Sequence, residues 1–367
     1  MLMLKKTIAA LSLLSILAAC QNDENPSQPE PKPRQDINLT RAEQEFMDKG
    51  TDFAFRFFDQ VCSTEKEKPN VFVSPLSASL CLSMITNGAT DNTLAEMQNV
   101  LGFPANTFSL DDLNNYNQKL TSALLDLDNT TQLGIANSIW IEEGFKVYDS
   151  FVDVNKKMYD AQVQELDFTS PTAKDVINQW CATQTNNCIK EVIQEIPADA
   201  RMYLINALYF KGIWKSQFDK SATGQDNFTN VDGSQQKVAM MNQTATFNYT
   251  QTDDFSIAEL PYGNEAFSMV ILLPSGDKTL DESLPSLNYE NWKQWSKNMV
   301  GKELQIKLPR FKVEYDKELE EDMIAMGMKD AFDAYKAKFA NMSGAELYIG
   351  LLQQFTYINV DEEGTEA

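Results

Sequence analysis

Apolar residues near the beginning of the chain recur with the spacing of a helix. Large apolar residues occupy every fourth position of residues 76–84, and Gly88 follows the last of them. Side chains four residues apart share one face of a helix, so this spacing predicts a helix that buries that face. Ser74 is a good N-cap for it, and Pro75 suits the first helical position. The apolar run at residues 70–73 predicts a short buried strand before this helix.

The remaining patterns divide the chain between helices and strands. Helical spacing recurs at residues 40–62, 91–102, 148–163, 172–187 and 317–328. Runs rich in β-branched and aromatic residues lie at 133–141, 202–210, 255–260, 267–273, 304–308 and 352–360, and such residues favour strands. Several of these runs are apolar on both faces, which is typical of strands in the middle of a covered sheet. These patterns predict one α+β domain with more than one large sheet.

The first twenty residues have the pattern of an export signal. Two lysines precede an apolar run that is too short to span a bilayer and that ends in small residues. The segment Leu17-Ala-Ala-Cys20 resembles the lipobox of bacterial lipoproteins, which implies cleavage after residue 19 and diacylation of Cys20. We therefore expect residues 1–19 to be a signal peptide. Cys20 would anchor the protein to the bacterial outer membrane or cell surface, with the domain in the periplasm or outside the cell. An ordinary signal peptide with a chance cysteine is the alternative.

The next segment, residues 20–38, separates this signal from the patterned part of the chain. It is rich in Pro, Asn, Gln and charged residues, and such a segment buries too little apolar surface to fold. We predict a disordered tether here, followed by a folded domain at residues 39–367. Two acyl chains on one cysteine would hold a protein to a membrane durably.

Composition excludes several classes of function. The chain has 31 basic and 53 acidic residues and a formal net charge of -22, so its field repels phosphate backbones and no nucleic-acid partner is expected. It contains no histidine, which removes Ser-His-Asp and Cys-His catalysis and the H-E-x-x-H zinc site. The sequence carries no metal or cofactor motif, and we expect neither a metal site nor a cofactor.

Four cysteines lie beyond the signal. In an exported protein they could form disulfides, but the spacing alone does not give their connectivity. Cys81 falls in the apolar stripe of a predicted helix and suits a small buried side chain. Cys181 and Cys188 would lie about two turns apart on one helix, too far to bridge without distortion. We favour no disulfide among these residues and Cys62.

Six segments resemble the serpin family, the serine protease inhibitors, and occur in the family's order. They are Asn70-Val-Phe-Val-Ser-Pro-Leu-Ser-Ala-Ser, Thr90-Asp-Asn-Thr-Leu-Ala-Glu-Met, Leu204-Ile-Asn-Ala-Leu-Tyr-Phe-Lys-Gly-Ile-Trp, Glu259-Leu-Pro-Tyr, Leu308-Pro-Arg-Phe-Lys-Val-Glu-Tyr and Glu362-Glu-Gly-Thr-Glu-Ala. The resemblance covers nearly all of residues 40–367. It implies the serpin fold, with a large central, mostly antiparallel sheet, additional sheets and about eight or nine helices. The family's scissile bond and C-terminal strands would follow Ala367, so we expect them to be missing here and the natural product to be longer.

The resemblance implies suicide inhibition of a serine-type or cysteine protease by a monomeric protein that is not an enzyme. The protease cleaves an exposed reactive loop and is trapped as an acyl-enzyme when that loop inserts into the large sheet as an extra strand. The hinge that inserts first would be Glu362, Glu363, Gly364, Thr365, Glu366 and Ala367. Alternation places Thr365 and Ala367 on one face, and inserted inward-facing side chains must be small to be buried without cost. The four residues from Gly364 to Ala367 span at most about 14 Å, which is too short for a strand running the length of the sheet. We therefore expect the large sheet to lack a strand inserted from this chain's own loop.

Two further sets of residues match family positions that control opening of the sheet. Ser74, Ser77 and Asn206 match the polar residues beneath its centre, called the shutter, and Gln354 stands where many serpins carry a histidine. Trp214 matches the tryptophan at the breach, where the loop first enters. An N-cap role for Ser74 and a core role for Trp214 are the alternatives. Because glutamine does not become charged near neutral pH, a histidine-dependent response should be missing.

Two alternatives stay open. The first is a non-inhibitory serpin that acts as a binding or scaffold protein, although the small residues Thr365 and Ala367 favour inhibition. The second is an unrelated secreted hydrolase with a catalytic carboxylate pair. No motif in the sequence supports the second alternative.

Overall fold

The computed structural model describes residues 31–230 and 232–367. This part of the chain contains nine α-helices: α1 (Arg41–Thr64), α2 (Pro75–Thr86), α3 (Asp91–Leu101), α4 (Leu110–Asp126), α5 (Asp149–Tyr159), α6 (Ala173–Gln184), α7 (Leu280–Ser283), α8 (Tyr289–Lys297) and α9 (Glu320–Met326). Its strands are β1 (Gln132–Glu142), β2 (Ala161–Leu166), β3 (Met202–Ile213), β4 (Gly224–Thr229), β5 (Gln235–Gln251), β6 (Phe255–Pro261), β7 (Ser268–Pro274), β8 (Val300–Pro309), β9 (Phe311–Glu318), β10 (Gln353–Val360) and β11 (Gly364–Glu366).

The strands form two sheets. The large sheet has six strands in the order β2-β1-β3-β11-β10-β9. Its β1 and β2 are parallel, and all its other neighbouring strands are antiparallel. The second sheet has the order β4-β5-β6-β7, and β8 pairs with β5. The predicted α+β class, with a large and mostly antiparallel sheet, is confirmed.

Buried apolar residues cluster between the large sheet and the helices α1 to α5, between the two sheets, and between the large sheet and α6 around Trp140 and Trp180. The main cluster joins α1 to α2 and β1 through fully buried residues such as Phe57, Met84 and Ile139. A second cluster joins the two sheets around Trp214 and Met241. Burial of one such side chain contributes about 1.5–3 kcal/mol, so both clusters fix the large sheet from its inner face.

The predicted helix after Ser74 forms as its capping signals require. The Ser74 hydroxyl accepts a hydrogen bond from the Ser77 N–H (3.3 Å), and Pro75 is the first helical residue. This satisfies one of the free N–H groups of the first turn. The next helix ends at Gly102, whose φ of 87° lies in the left-handed region that glycine adopts easily.

Three of the predicted elements differ from the structure: one is absent, and two have different bounds. Residues 70–73 form no strand, because no described strand offers them a ladder, and none of them is fully buried. The helix predicted at 148–163 ends early, because Asp160 takes a φ of 50° and β2 begins directly after it. The helix predicted at 317–328 begins late, because the chain up to Glu318 pairs with β10.

Some sequence predictions concern features that the described residues do not include. Residues 1–30, with the predicted signal peptide, Cys20 and the first part of the tether, lie outside them. Among the described residues, no helix is long and apolar enough to cross a bilayer. The described cysteines are all free thiols. No group of three metal-binding side chains is present in that same part of the chain.

Candidate functional site: the hinge strand and the cleft below it

The predicted hinge enters the large sheet at one end. Strand β11 lies between β3 and β10 and pairs with both, with Gly364 opposite Ile213 and Thr365 opposite both Gly212 and Val360. The ladder to β3 continues one residue further, through two hydrogen bonds of 2.7 Å between Phe210 and Ala367. The expectation that this chain carries no inserted strand is therefore wrong. Four residues are too few to cross the sheet, but they suffice to begin a ladder.

Glycine is required at position 364 by close backbone approach. A Cβ atom built on Gly364 would lie 1.9 Å from the carbonyl oxygen of Gly212. A Cβ atom on Gly212 would in turn lie 2.7 Å from the Phe210 ring. The two glycines therefore let the first residue of β11 lie close against β3.

The next hinge residues alternate between the two faces of the sheet, as an extended strand requires. Thr365 points inward and is 5% exposed, and its hydroxyl lies 2.5 Å from the Tyr262 hydroxyl. Glu366 points to the outer face, where it accepts a hydrogen bond from the Tyr209 hydroxyl (2.6 Å). The Lys211 ammonium lies 3.7 Å from the same carboxylate. The inward position is therefore small and hydrogen-bonded, while the charged side chain stays outside.

An ion pair holds the turn that leads into strand β11. The side chain of Glu362 is 1% exposed and binds the Arg310 guanidinium in a bidentate manner, with contacts of 2.7 to 2.9 Å. The Thr223 hydroxyl donates to the same carboxylate (2.5 Å). Burial alone would raise the pKa of Glu362, but the hydrogen bonds from Arg310 and Thr223 keep it below its usual value. The neighbouring Glu363 is exposed and pairs with Lys220 at the surface.

Trp214 supports the same turn from below. Its indole N–H donates to the carbonyl of Asp361 (2.8 Å), and its backbone N–H donates to the carbonyl of Glu363 (2.9 Å). The indole is 3% exposed and stacks on the Tyr262 ring, with centroids 4.4 Å apart. Trp214 is therefore a core residue that also fixes the backbone at the start of the hinge.

The four predicted shutter residues fall into two groups. Gln354 binds the backbone of Ser74 twice, accepting from its N–H (2.8 Å) and donating to its carbonyl (2.9 Å), and Ser77 completes this group through the cap. Asn206 lies apart from them and donates to the Asn137 side chain (2.9 Å). The side-chain oxygen Oδ1 of Asn206 is buried and accepts no hydrogen bond. Gln354 and Asn206 therefore share no hydrogen bond.

The separation of these groups follows from an open cleft in the large sheet. We use this name for the space between the facing edges of β3 (residues 202–209) and β10 (residues 353–358). Within the described residues, β3 and β10 form no ladder with one another, because β11 separates them at the hinge end. Strands flanking a third strand lie about 9.6 Å apart, twice the usual spacing. The facing edges therefore carry backbone groups that another strand could pair with.

Sequence reasoning singled out the hinge residues but not their partners. Tyr262 and Arg310 belong to segments that carry the family resemblance, yet nothing local shows that they reach Thr365 and Glu362. Asn137 had a usable signal, because a polar residue inside an apolar strand requires a partner. That signal predicts a buried hydrogen bond for Asn137, but it does not show that the partner is Asn206.

Comparison with known proteins agrees with this geometry. The family profile described as "Serpin (serine protease inhibitor)" matches residues 48–367. A serpin-like protein of Methanosarcina acetivorans is 34% identical over 322 residues, which cover 86% of this chain and 74% of that protein. Serpin B6 of Macaca fascicularis is 36% identical over 309 residues, covering 81% of each.

Solved structures give the same result. The latent state of the thermophilic serpin tengpin superposes with a TM-score of 0.81 at 32% identity, covering 90% of this chain and 88% of tengpin. Cleaved Serpin 42Da superposes with a TM-score of 0.83 at 28% identity, covering 89% and 88%. The hinge strand in the large sheet, together with these matches, defines the class of protein. The chain belongs to the serpin family.

Proposed function

We propose that the protein inhibits a serine-type protease, or in second place a cysteine protease, by suicide cleavage of a reactive loop and insertion of that loop into the large sheet. The observation that carries the proposal is the position of β11. It enters between β3 and β10 directly above the open cleft, in line with the path that a longer inserted strand would follow.

The inward face of the hinge supports insertion rather than a fixed surface loop. Thr365 is already buried with its hydroxyl bonded to Tyr262, and Ala367 packs against the cluster around Trp214. A strand that extends β11 would gain backbone hydrogen bonds on both sides, because neither cleft edge pairs with another strand in the described part of the chain. Each such bond contributes about 0.5–1.5 kcal/mol net, so an inserted strand stabilises the sheet cumulatively.

In this proposal the predicted shutter residues support the two sides of the cleft, and the predicted breach residue supports the turn before β11. Gln354 would tie β10 to the beginning of α2 through Ser74, and Asn206 would tie β3 to β1 through Asn137. Trp214 would hold the start of the hinge. Each side of the cleft thus has its own hydrogen-bonded support, which allows one side to move relative to the other.

Serpins are mostly protease inhibitors rather than catalysts, and we propose no enzymatic activity. Some ovalbumin-like serpins do not inhibit, and emu ovalbumin superposes on this chain with a TM-score of 0.81 at 25% identity. A non-inhibitory binding or scaffold role is therefore the alternative. The small inward residue at position 365 favours inhibition, because a bulky or charged residue there would oppose insertion.

We propose in addition that the protein is a monomer that binds its target protease and is held to a membrane through acylated Cys20. Support for the anchor comes only from the amino-terminal sequence pattern. The net charge of -22 supports the absence of a nucleic-acid partner.

A hinge substitution tests the insertion mechanism. In a chain carrying the loop expected after Ala367, Thr365→Arg should turn the inhibitor into a substrate, because burying an unpaired guanidinium costs several kcal/mol and slows insertion while acyl-enzyme hydrolysis continues. The measurement is the number of inhibitor molecules consumed per protease molecule inactivated. Thr365→Ser keeps the hydroxyl and serves as the matched control. Equal stoichiometry for the parent and the arginine variant would disprove insertion at this hinge.

A further inference from the structure

The segment before the first helix contacts the folded domain at Lys32. The backbone N–H of Lys32 donates to the Asn129 side chain (2.8 Å), and its carbonyl accepts from the Asn264 side-chain amide (3.1 Å). Its ammonium lies 2.8 Å from the carboxylate of Asp126. We propose that residues 31–39 form a strap that docks through Lys32 on these three side chains, and that this strap restrains the turn beneath the hinge. The predicted tether would then have a fixed point within it.

The sequence around Lys32 prepares it for docking. Lys32 lies between Pro31 and Pro33. A residue before proline is restricted to extended conformations, and proline fixes its own backbone. Residues 31–33 therefore lose little conformational entropy when they dock, and Lys32 carries the one backbone N–H group among these three residues. A Pro-Lys-Pro sequence presents one N–H and one cation on an extended backbone.

Two turns of the domain build the receiving surface. Asp126 and Asn129 lie where α4 leads into β1, and Asn264 lies in the turn between β6 and β7. Asp128 joins these turns, since its buried carboxylate accepts from the Thr130 hydroxyl (2.7 Å) and from the N–H of Asn264 (3.3 Å). The side-chain amide of Asn264 also donates to the Leu127 carbonyl (2.8 Å). The surface is thus held by the domain itself.

Backbone hydrogen bonds, rather than charge, carry the docking. The side chains of Lys32 and Asp126 are 52% and 81% exposed, and ion pairs this exposed contribute little and weaken in salt. The hydrogen bonds to Asn129 and Asn264 use the backbone of Lys32. Loss of the ammonium alone should therefore change little, whereas loss of the N–H should release the strap.

The receiving turn is in direct contact with the hinge. The N–H of Gly263 donates to the carbonyl of Ile213 (2.9 Å), and Ile213 pairs with Gly364 of the hinge strand. The adjacent Tyr262 hydroxyl bonds Thr365. One turn therefore holds the strap on one side and the hinge on the other, so release of the strap should loosen the support of the hinge. The docking itself does not depend on the proposed inhibitory function.

Amide hydrogen exchange by NMR on the full chain tests the proposal. In the parent protein the Lys32 amide should be protected. The Ala266 N–H donates to the Asn264 side chain (2.9 Å), so Lys32→Pro should speed exchange of the Asn264 and Ala266 amides by about three- to tenfold, the loss expected for one hydrogen bond. Lys32→Pro keeps the extended backbone and removes the N–H and the cation. Lys32→Ala removes only the cation and should leave exchange near the parent value.

The matched control is Arg34→Pro, which removes a cation and an N–H two residues along the same segment. Arg34 pairs with Asp36 within the segment (3.7 Å), so exchange at Asn264 should stay unchanged. Asn129→Ala removes the acceptor from the other side and should reproduce the effect of Lys32→Pro. An unprotected Lys32 amide in the parent, or equal exchange in the two proline variants, would show that the segment is a free tether. Either result would leave the proposed inhibitory function untouched.

Discussion

The ion pair between Arg310 and Glu362 is the contact whose loss should weaken the hinge most. Replacing Arg310 with alanine leaves a carboxylate that is 1% exposed with only the Thr223 hydroxyl as a side-chain donor. Breaking a fully buried ion pair costs about 3–5 kcal/mol. Because Arg310 is itself 47% exposed, water replaces part of its contacts, and we expect the free energy of unfolding to fall by about 1–3 kcal/mol.

A double-mutant cycle with Arg310→Ala and Glu362→Gln isolates this interaction, with the free energy of unfolding measured by urea denaturation. Removing both charges should cost less than the sum of the single changes, because the glutamine variant no longer buries a charge. The neighbouring exposed pair of Lys220 and Glu363 is the control, and its cycle should show no measurable coupling. Additive effects of Arg310→Ala and Glu362→Gln would refute the reasoning.

The same pair predicts a pH dependence with a definite sign. The pKa of Glu362 lies below its usual value of 4.5 in the folded protein. Its contribution is therefore fully present above that value and is lost as the pH falls through the folded pKa. The difference in unfolding free energy between the parent and Glu362→Gln should be constant at neutral pH and shrink below about pH 4.5.

Two further predictions concern the hinge glycine and the anchor. Gly364→Ala should displace β11 from β3, because the new Cβ would meet the Gly212 carbonyl oxygen at 1.9 Å. The cost is about 1–3 kcal/mol, and faster amide exchange at Thr365 would report it, whereas unchanged exchange would argue against the close approach. For the anchor, the intact mass of membrane-extracted protein should show acyl chains on an amino-terminal Cys20. An unmodified Cys20 or cleavage at another bond would contradict the proposed membrane anchor.

Local signals in the sequence were enough to predict most elements, whereas the hinge residues were expected from the serpin resemblance. The helix after Ser74 was predictable because its cap, its proline and its apolar spacing agree. The strand at 352–360 was predictable from its β-branched and aromatic residues, and β10 occupies nearly the same range. Helix α4 was missed although Ser109 and Asp112 form a capping box at its start, which is a usable signal.

Long-range pairing was not predictable from local patterns. Residues 70–73 have the composition of a buried strand, but a strand also needs a partner, and composition does not supply one. Glu362 and Arg310 are 52 positions apart, and Thr365 and Tyr262 are 103 apart. The hinge strand was unexpected for a different reason. Four residues reach only about 14 Å, but the ladder of β11 with β3 needs only three residues.

The most direct test of the central claim is the formation of a covalent complex. A chain that includes the complete reactive loop should be incubated with a panel of serine and cysteine proteases and analysed by SDS gel electrophoresis. Inhibition by loop insertion predicts an SDS-stable complex, with the mass of the protease added to that of the cleaved serpin, for at least one serine-type enzyme. Clean cleavage of the loop by every protease, with full protease activity recovered and no complex, would contradict the account and favour a non-inhibitory serpin.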